Sequence, residues 1–106
     1  MLFARANGVD CSTVLRALQA GFAGSKMLDL MGPKMAGRDF AAGIEARLHQ
    51  KDYGLILEMA HEAGLAMPAV AIVAQQLNAL VGQGWGKQDT SALLKVLEAA
   101  NGRSSD

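Results

Sequence analysis

The sequence predicts an all-α domain of about five to six helices. Three observations carry that prediction. Apolar residues recur at helical spacing, capping residues and glycines punctuate the chain from end to end, and no run of alternating β-branched residues offers a strand. At 106 residues, 51% of them hydrophobic, the chain is one domain, long enough to bury a modest core without disulfides or metal.

The elements follow in order. Leu2 to Asn7 reads as the last turns of a helix that stops at Gly8, with nothing upstream to cap its start. Asp10 or Ser12 caps a second helix, which carries Val14, Leu15 and Leu18 on one face and stops at Gly21. Ser25 is expected to N-cap a short helix through Met27, Leu28 and Leu30. Gly32-Pro33 ends it, and Pro33 then opens a brief turn through Met35. Phe40 to Glu45 is expected to be extended and to deliver the chain to a long helix from about Leu48 to Ala63. On that helix Leu48, Asp52, Leu55, Ile56, Met59 and Ala63 fall near one face.

Gly64 ends this helix and Pro68 opens the next at its first position. Val70, Ile72, Val73, Leu77, Leu80 and Val81 make that helix apolar over most of its circumference, so it is either central or covered by a partner. Gly82 to Gln88 is a loop, in which Trp85 either anchors packing or leans over a cleft. Asp89 or Thr90 caps a final helix bearing Leu93, Leu94, Val96 and Leu97. Residues 1–100 form the domain and 101–106 a frayed tail. Met27, Met31, Met35, Met59 and Met67 are expected to serve as adaptable core.

Composition removes several function classes. A formal net charge of zero argues against a nucleic-acid partner, which requires a surplus of Lys and Arg to displace counterions. No window approaches the ~20 apolar residues of a membrane span, and the first residues lack a signal peptide's apolar run. The single cysteine, Cys11, cannot form an intrachain disulfide, suits a reducing cytoplasm, and reads as a buried or half-buried residue at a helix start. Ser25 has no base placed to activate it. His49 and His61 lack the i, i+4 spacing of a helical zinc site, and no metal is expected. Gly82, Gly84, Gly86 and Lys87 fail as a phosphate loop, because Val81 stands where its first glycine belongs and Gln88 where its Ser/Thr belongs.

One feature remains that folding does not require: the adjacent charges Lys51-Asp52 early in the long helix. A lysine in a first turn faces the positive end of the helix dipole, a cost of a few tenths of a kcal/mol. Read alone, the pair is a solvated helix start. It does not stand alone. Gly21-Phe-Ala-Gly24-Ser25 with Leu28, Gly32-Pro33-Lys34-Met35 to Arg38-Asp39-Phe40, Leu48 to Asp52, and Gly86-Lys-Gln-Asp89-Thr-Ser91-Ala-Leu occur in that order, with Pro68 between the last two.

In these segments the chain resembles, over nearly its whole length, the C-terminal helical domain of the β-hydroxyacid dehydrogenases. That family includes 3-hydroxyisobutyrate dehydrogenase and tartronate semialdehyde reductase (2-hydroxy-3-oxopropionate reductase), and the domain is of the 6-phosphogluconate-dehydrogenase-like type. The resemblance implies an NAD- or NADP-dependent oxidoreductase acting on the CH-OH group of a small hydroxy or oxo acid. It implies that Lys51 meets the nicotinamide cofactor and that Asp52 lies on the substrate side. Ile44 stands where relatives commonly carry a phenylalanine lining the nicotinamide pocket.

The family's Rossmann domain and catalytic lysine lie upstream of the matched region, and this sequence has neither a Gly-x-Gly-x-x-Gly turn nor a Lys-x-x-Asn segment. The resulting expectation is a C-terminal piece of a dehydrogenase. Such a piece would have no catalytic residue of its own, bind no cofactor alone and be inactive by itself. It would be cytoplasmic, pair with the missing Rossmann domain and form a homo-oligomer. The rival expectation is a free-standing helical self-association module without a catalytic role.

Overall fold

The computed structural model describes residues 1–103, and residues 104–106 of the expected tail lie outside them. Six helices make up this region: α1 Leu2–Ala6, α2 Cys11–Ala20, α3 Lys26–Gly37, α4 Ala46–Glu62, α5 Pro68–Gly82 and α6 Leu93–Ala100. A 3-10 turn, Thr90–Ala92, runs directly into α6. Among the described residues the only strand-like pairing is an isolated antiparallel bridge between Glu45 and Asp89. The stretch expected to be extended, from Phe40 to Glu45, is irregular apart from that bridge.

Local chemistry sets most boundaries. The Thr13 amide donates to Asp10, the Leu28 amide to Ser25 and the Ser91 amide to Asp89, so each of these side chains satisfies an orphan N–H at its element's start. Four helices end by one device. After α1, α4, α5 and α6 the chain turns through a glycine with positive φ (Gly8, Gly64, Gly84, Gly102), and the next residue's amide reaches back five residues to a helical carbonyl. For α6 this closure runs from Arg103 to Glu98 at 2.8 Å, so the first three residues of the expected tail are the helix's own cap.

Two boundaries differ from the sequence reading. Gly32-Pro33 does not split α3, which continues through Pro33 to Gly37. The residue before a proline normally resists helical dihedrals because its Cβ meets the proline ring; Gly32 has no Cβ, so the helix passes. Gly32 is also buried against Leu15, where an added Cβ would lie 2.3 Å from Cδ1. At the far end Arg38 adopts the left-handed conformation (φ 56°), with its neighbour's amide returning to Lys34.

The second difference is α4, which starts at Ala46, two residues before the expected Leu48. Its first amides are satisfied by backbone elsewhere: Ala46 donates to the Gln88 carbonyl at 2.8 Å and Arg47 to Gly86 at 2.9 Å. Lys51 therefore lies in the second turn, where the dipole penalty assumed for a first-turn lysine has faded.

α5 is the central element, pairing with α4 on one side and α6 on the other. Leu77 and Leu80 of α5 are buried, and Ala46, Ala92 and Val96 close around Leu80 with Phe40, Trp85 and Leu93 at the edge. Trp85 is thus a packing anchor, half-buried with Lys95 Nζ 3.9 Å from its ring centroid. The core is thin: five of its eleven buried hydrophobic residues are alanine. Larger apolar side chains remain outside, among them Phe3, Phe22, Leu30 and Ile72. The five methionines expected in the core are not there; Met27, Met59 and Met67 are exposed and Met31 and Met35 half-buried, because small residues occupy the centre. Cys11 is buried as the first residue of α2.

Candidate cofactor and substrate face

Three residues were singled out by resemblance, and the fold places all of them at one end of α4. Ile44 sits on the loop that leads into the helix and is largely exposed; Lys51 and Asp52 follow within its second turn. The Lys51 Nζ lies 3.9 Å from Asp52 Oδ1, with side chains 67% and 55% exposed. An ion pair so open contributes about 0–1 kcal/mol, and its charges remain available to other groups. Consecutive helical residues differ by roughly 100° in direction, so the two side chains serve different faces. Asp52 is three residues from His49 and lies near its face, while Lys51 points away from it.

His49 and Tyr53, one turn apart, form one wall of a cleft of about 250 Å³ with Met27, Met31, Leu77 and Leu93. At its polar edge His49 Nδ1 and Thr90 Oγ1 share a hydrogen bond at 2.6 Å. The cleft is otherwise apolar.

The loop carrying Ile44 is held from below by Asp89, which is buried. Asp89 Oδ2 accepts from the Gly43 amide at 3.0 Å and lies 3.6 Å from Lys34 Nζ; Oδ1 accepts from the Ser91 amide; and the Asp89 amide donates to the Phe40 carbonyl. Lys34 Nζ in turn donates to the Ala41 carbonyl at 2.7 Å. Burial alone would raise the Asp89 carboxyl. The Ser91 hydroxyl and amide, the Gly43 amide and Lys34 outweigh it and hold the group at about 2. The Ser91 hydroxyl is fully buried and makes no hydrogen bond of regular geometry.

Sequence reasoning missed a second buried carboxylate. Glu98 of α6 is 2% exposed, and its Oε1 accepts from Arg5 Nη1 of α1 at 2.7 Å and from Arg38 Nη1 at 2.8 Å. A signal existed: Glu98 follows Leu94 by four residues on the apolar stripe of α6, and a carboxylate there requires cationic partners. Among the described residues no group of three or more His, Cys, Asp and Glu side chains is placed to hold a metal, and no helix is long and apolar enough to cross a membrane.

Fold and site define an all-α domain that projects an exposed Lys-Asp pair beside a tethered apolar loop. The family model described as NAD-binding of NADP-dependent 3-hydroxyisobutyrate dehydrogenase matches residues 1–97, and the chain belongs to that family. It is 38% identical over 98 residues to the 2-hydroxy-3-oxopropionate reductase of Escherichia coli, covering 92% of this chain and 34% of that protein. It is 37% identical over 101 residues to a probable mitochondrial 3-hydroxyisobutyrate dehydrogenase-like protein of Arabidopsis thaliana, covering 95% of this chain and 30% of the relative. The chain thus spans about a third of the length of the curated relatives it matches. The crystal structure of 3-hydroxyisobutyrate dehydrogenase from Salmonella typhimurium superposes with a TM-score of 0.85 over 89% of this chain and 33% of that one; at 19% identity the likeness shows the fold.

Proposed function

We propose that this chain is the helical, substrate-facing domain of an NAD(P)-dependent dehydrogenase acting on a small β-hydroxy or 2-hydroxy-3-oxo acid, and that it works against a dinucleotide-binding Rossmann domain. The observation that carries the reading is the exposed Lys51-Asp52 pair in the second turn of α4, within a chain that matches the family over residues 1–97. The residues present fit one edge of a nicotinamide cofactor. An exposed ammonium suits its phosphate or amide oxygens, and an apolar side chain at Ile44 suits its ring. When bound, the cofactor supplies or takes up hydride.

The chain's own residues bind and orient. Lys51 donates hydrogen bonds to the cofactor. Asp52 accepts one from a substrate hydroxyl or from the lysine that resemblance places on the other domain. Ile44 excludes water where the two domains close. Arg47, ion-paired with Glu45 at the start of α4, stays on the outer side. A reducing, cytoplasmic setting suits the free thiol of Cys11.

The test is a chimera in which this chain replaces the matching third of the E. coli 2-hydroxy-3-oxopropionate reductase, assayed by NADH and NADPH oxidation with tartronate semialdehyde. Lys51→Ala should raise the cofactor KM and Asp52→Ala should lower kcat, each by about ten- to a hundredfold, the loss of one charge-assisted contact of roughly 1.5–3 kcal/mol. Thermal midpoints should barely move, because both side chains are exposed. Unaltered kinetics in both variants would reduce the pair to a solvated helix turn. The second reading, a self-associating module without catalysis, is favoured by the apolar surface at Phe3 and Ile72 and separates from the first on cofactor dependence.

A further inference from the structure

We infer that Asp89 is a positioning residue: through Gly43 and Lys34 it fixes the loop that sets Ile44 at the cofactor face, and in this it rests on the function proposed above. Three elements converge on one side chain. Oδ1 belongs to the 3-10 turn, where it accepts from the Ser91 amide; Oδ2 belongs to the loop, where it accepts from the Gly43 amide and faces Lys34 of α3. The backbone of the same residue holds the loop once more, its amide donating to the Phe40 carbonyl, and beside it the Gln88 carbonyl accepts from the Ala46 amide across the bridge that pairs Glu45 with Asp89. Lys34 closes the circuit by donating to Ala41.

The loop thus carries little packing of its own. Ala41, Ala42, Gly43 and Ile44 are all exposed, and a loop segment so open relies chiefly on hydrogen bonds to keep one conformation. Nothing in local folding requires this carboxylate to reach a glycine 46 residues away, since a serine or asparagine would cap the 3-10 turn as well. The second oxygen serves the loop. Gly43 itself is close to the clamp, because a Cβ there would lie 3.4 Å from Oδ2. Ile44 is the next residue, so anchoring the Gly43 amide limits where the loop can carry it.

The two roles separate in Asp89→Asn. The amide oxygen can still cap Ser91, but the NH₂ group replaces Oδ2 and meets two donors, the Gly43 amide and the Lys34 ammonium. Amide hydrogen exchange of the 106-residue chain, read residue by residue by NMR, should accelerate at least tenfold at Gly43 while Ser91 and α6 remain protected. Asp89→Ser should behave alike, and Asp89→Glu should recover part of the protection. In the chimera, Asp89→Asn should raise the cofactor KM with kcat changed less.

Unchanged exchange at Gly43 would overturn the positioning role. Equal acceleration at Gly43, Ser91 and α6 would also overturn it, by making Asp89 a general structural residue. If Asp89→Asn does not fold, Lys34→Met removes the lysine's hold on Ala41 from a helix surface, and exchange of the 40–44 amides decides in the same way. Exchange in the isolated chain tests the clamp, whereas the Lys51 and Asp52 variants test the catalytic setting. A clamp present in a chimera indifferent to Lys51 and Asp52 would refute the proposed function alone.

Discussion

Replacing Glu98 by alanine should cost this domain more than any exposed substitution on its surface. The side chain is buried, and one oxygen receives two guanidinium groups, from Arg5 at 2.7 Å and Arg38 at 2.8 Å. A hydrogen bond to a charged group contributes about 1.5–3 kcal/mol. Because the arginines are 38% and 27% exposed, each recovers water once released, and the lower end of that range applies. Two such bonds give about 3 kcal/mol, at the lower edge of the ~3–5 kcal/mol for breaking a buried ion pair from one side. In a domain of this size that is a fall of roughly 15 °C in Tm. Glu98→Gln keeps an acceptor of the same shape and should cost about 1–2 kcal/mol. Urea unfolding followed by far-UV circular dichroism measures both. A double-mutant cycle with Arg5→Ala isolates one arm, because Arg5 sits in regular helix whereas Arg38 holds a left-handed turn. Its coupling should be at least about 1 kcal/mol. A Glu98→Ala protein within about 0.5 kcal/mol of the parent would refute the reasoning, since the carboxylate would then be doing nothing that a void cannot.

The remaining predictions concern acid, catalysis and association. Asp89 sits at about 2 when folded against an ordinary 3.8, so it stabilises the fold above pH ~4 and the contribution, about 2 kcal/mol, is lost as pH falls from ~4 toward 2. Asp10 is also lowered, mainly by its hydrogen bonds to Thr13, and acts in the same direction. Asp89→Asn should flatten the acid limb of stability against pH in urea titrations; an unchanged limb would assign it to other groups. The chain alone should not oxidise NADH or NADPH with tartronate semialdehyde or methylmalonate semialdehyde, because hydride transfer needs an oriented cofactor and no glycine-rich dinucleotide turn is present. Turnover by pure chain would overturn this. The chain should also self-associate at micromolar concentration, since Phe3 is 83% exposed and Ile72 63%, and sedimentation showing only monomer at high concentration would count against it.

What was legible in the sequence and what was not divides by distance along the chain. Asp10, Ser25, Gly8 and Gly64 act within a few residues of themselves, and reading them places those helix ends correctly; Gly102, in a stretch expected to fray, closes α6 by the same device and was missed. The start of α4 was misplaced because its cap is not a side chain. The Ala46 and Arg47 amides are satisfied by the carbonyls of Gln88 and Gly86, some forty residues later, and local sequence carries no mark of that. Pro33 was read as a breaker because the usual penalty assumes a Cβ before it, which Gly32 lacks. In the site, Lys51 and Asp52 were visible because local folding leaves them unexplained, and resemblance supplied the roles proposed for them. Asp89 was recognised as a cap, but its hold on Gly43 was hidden, as was Glu98. A carboxylate's long-range partner becomes visible only when the fold brings α1, α3 and α6 together.

Trp85, the one tryptophan in the chain, lies under the Lys95 ammonium on the turn that runs into the two carbonyls holding the start of α4. A cation so close to an indole ring should shift its excited state, and the emission of this residue is expected to report on the junction. The domain therefore carries a built-in optical probe at the root of its proposed cofactor face. Any cofactor, acid or Rossmann domain that presses on the Lys51 end of α4 has a label-free readout in intensity and wavelength. His49, Tyr53 and the rest of the surface need no added dye for that titration.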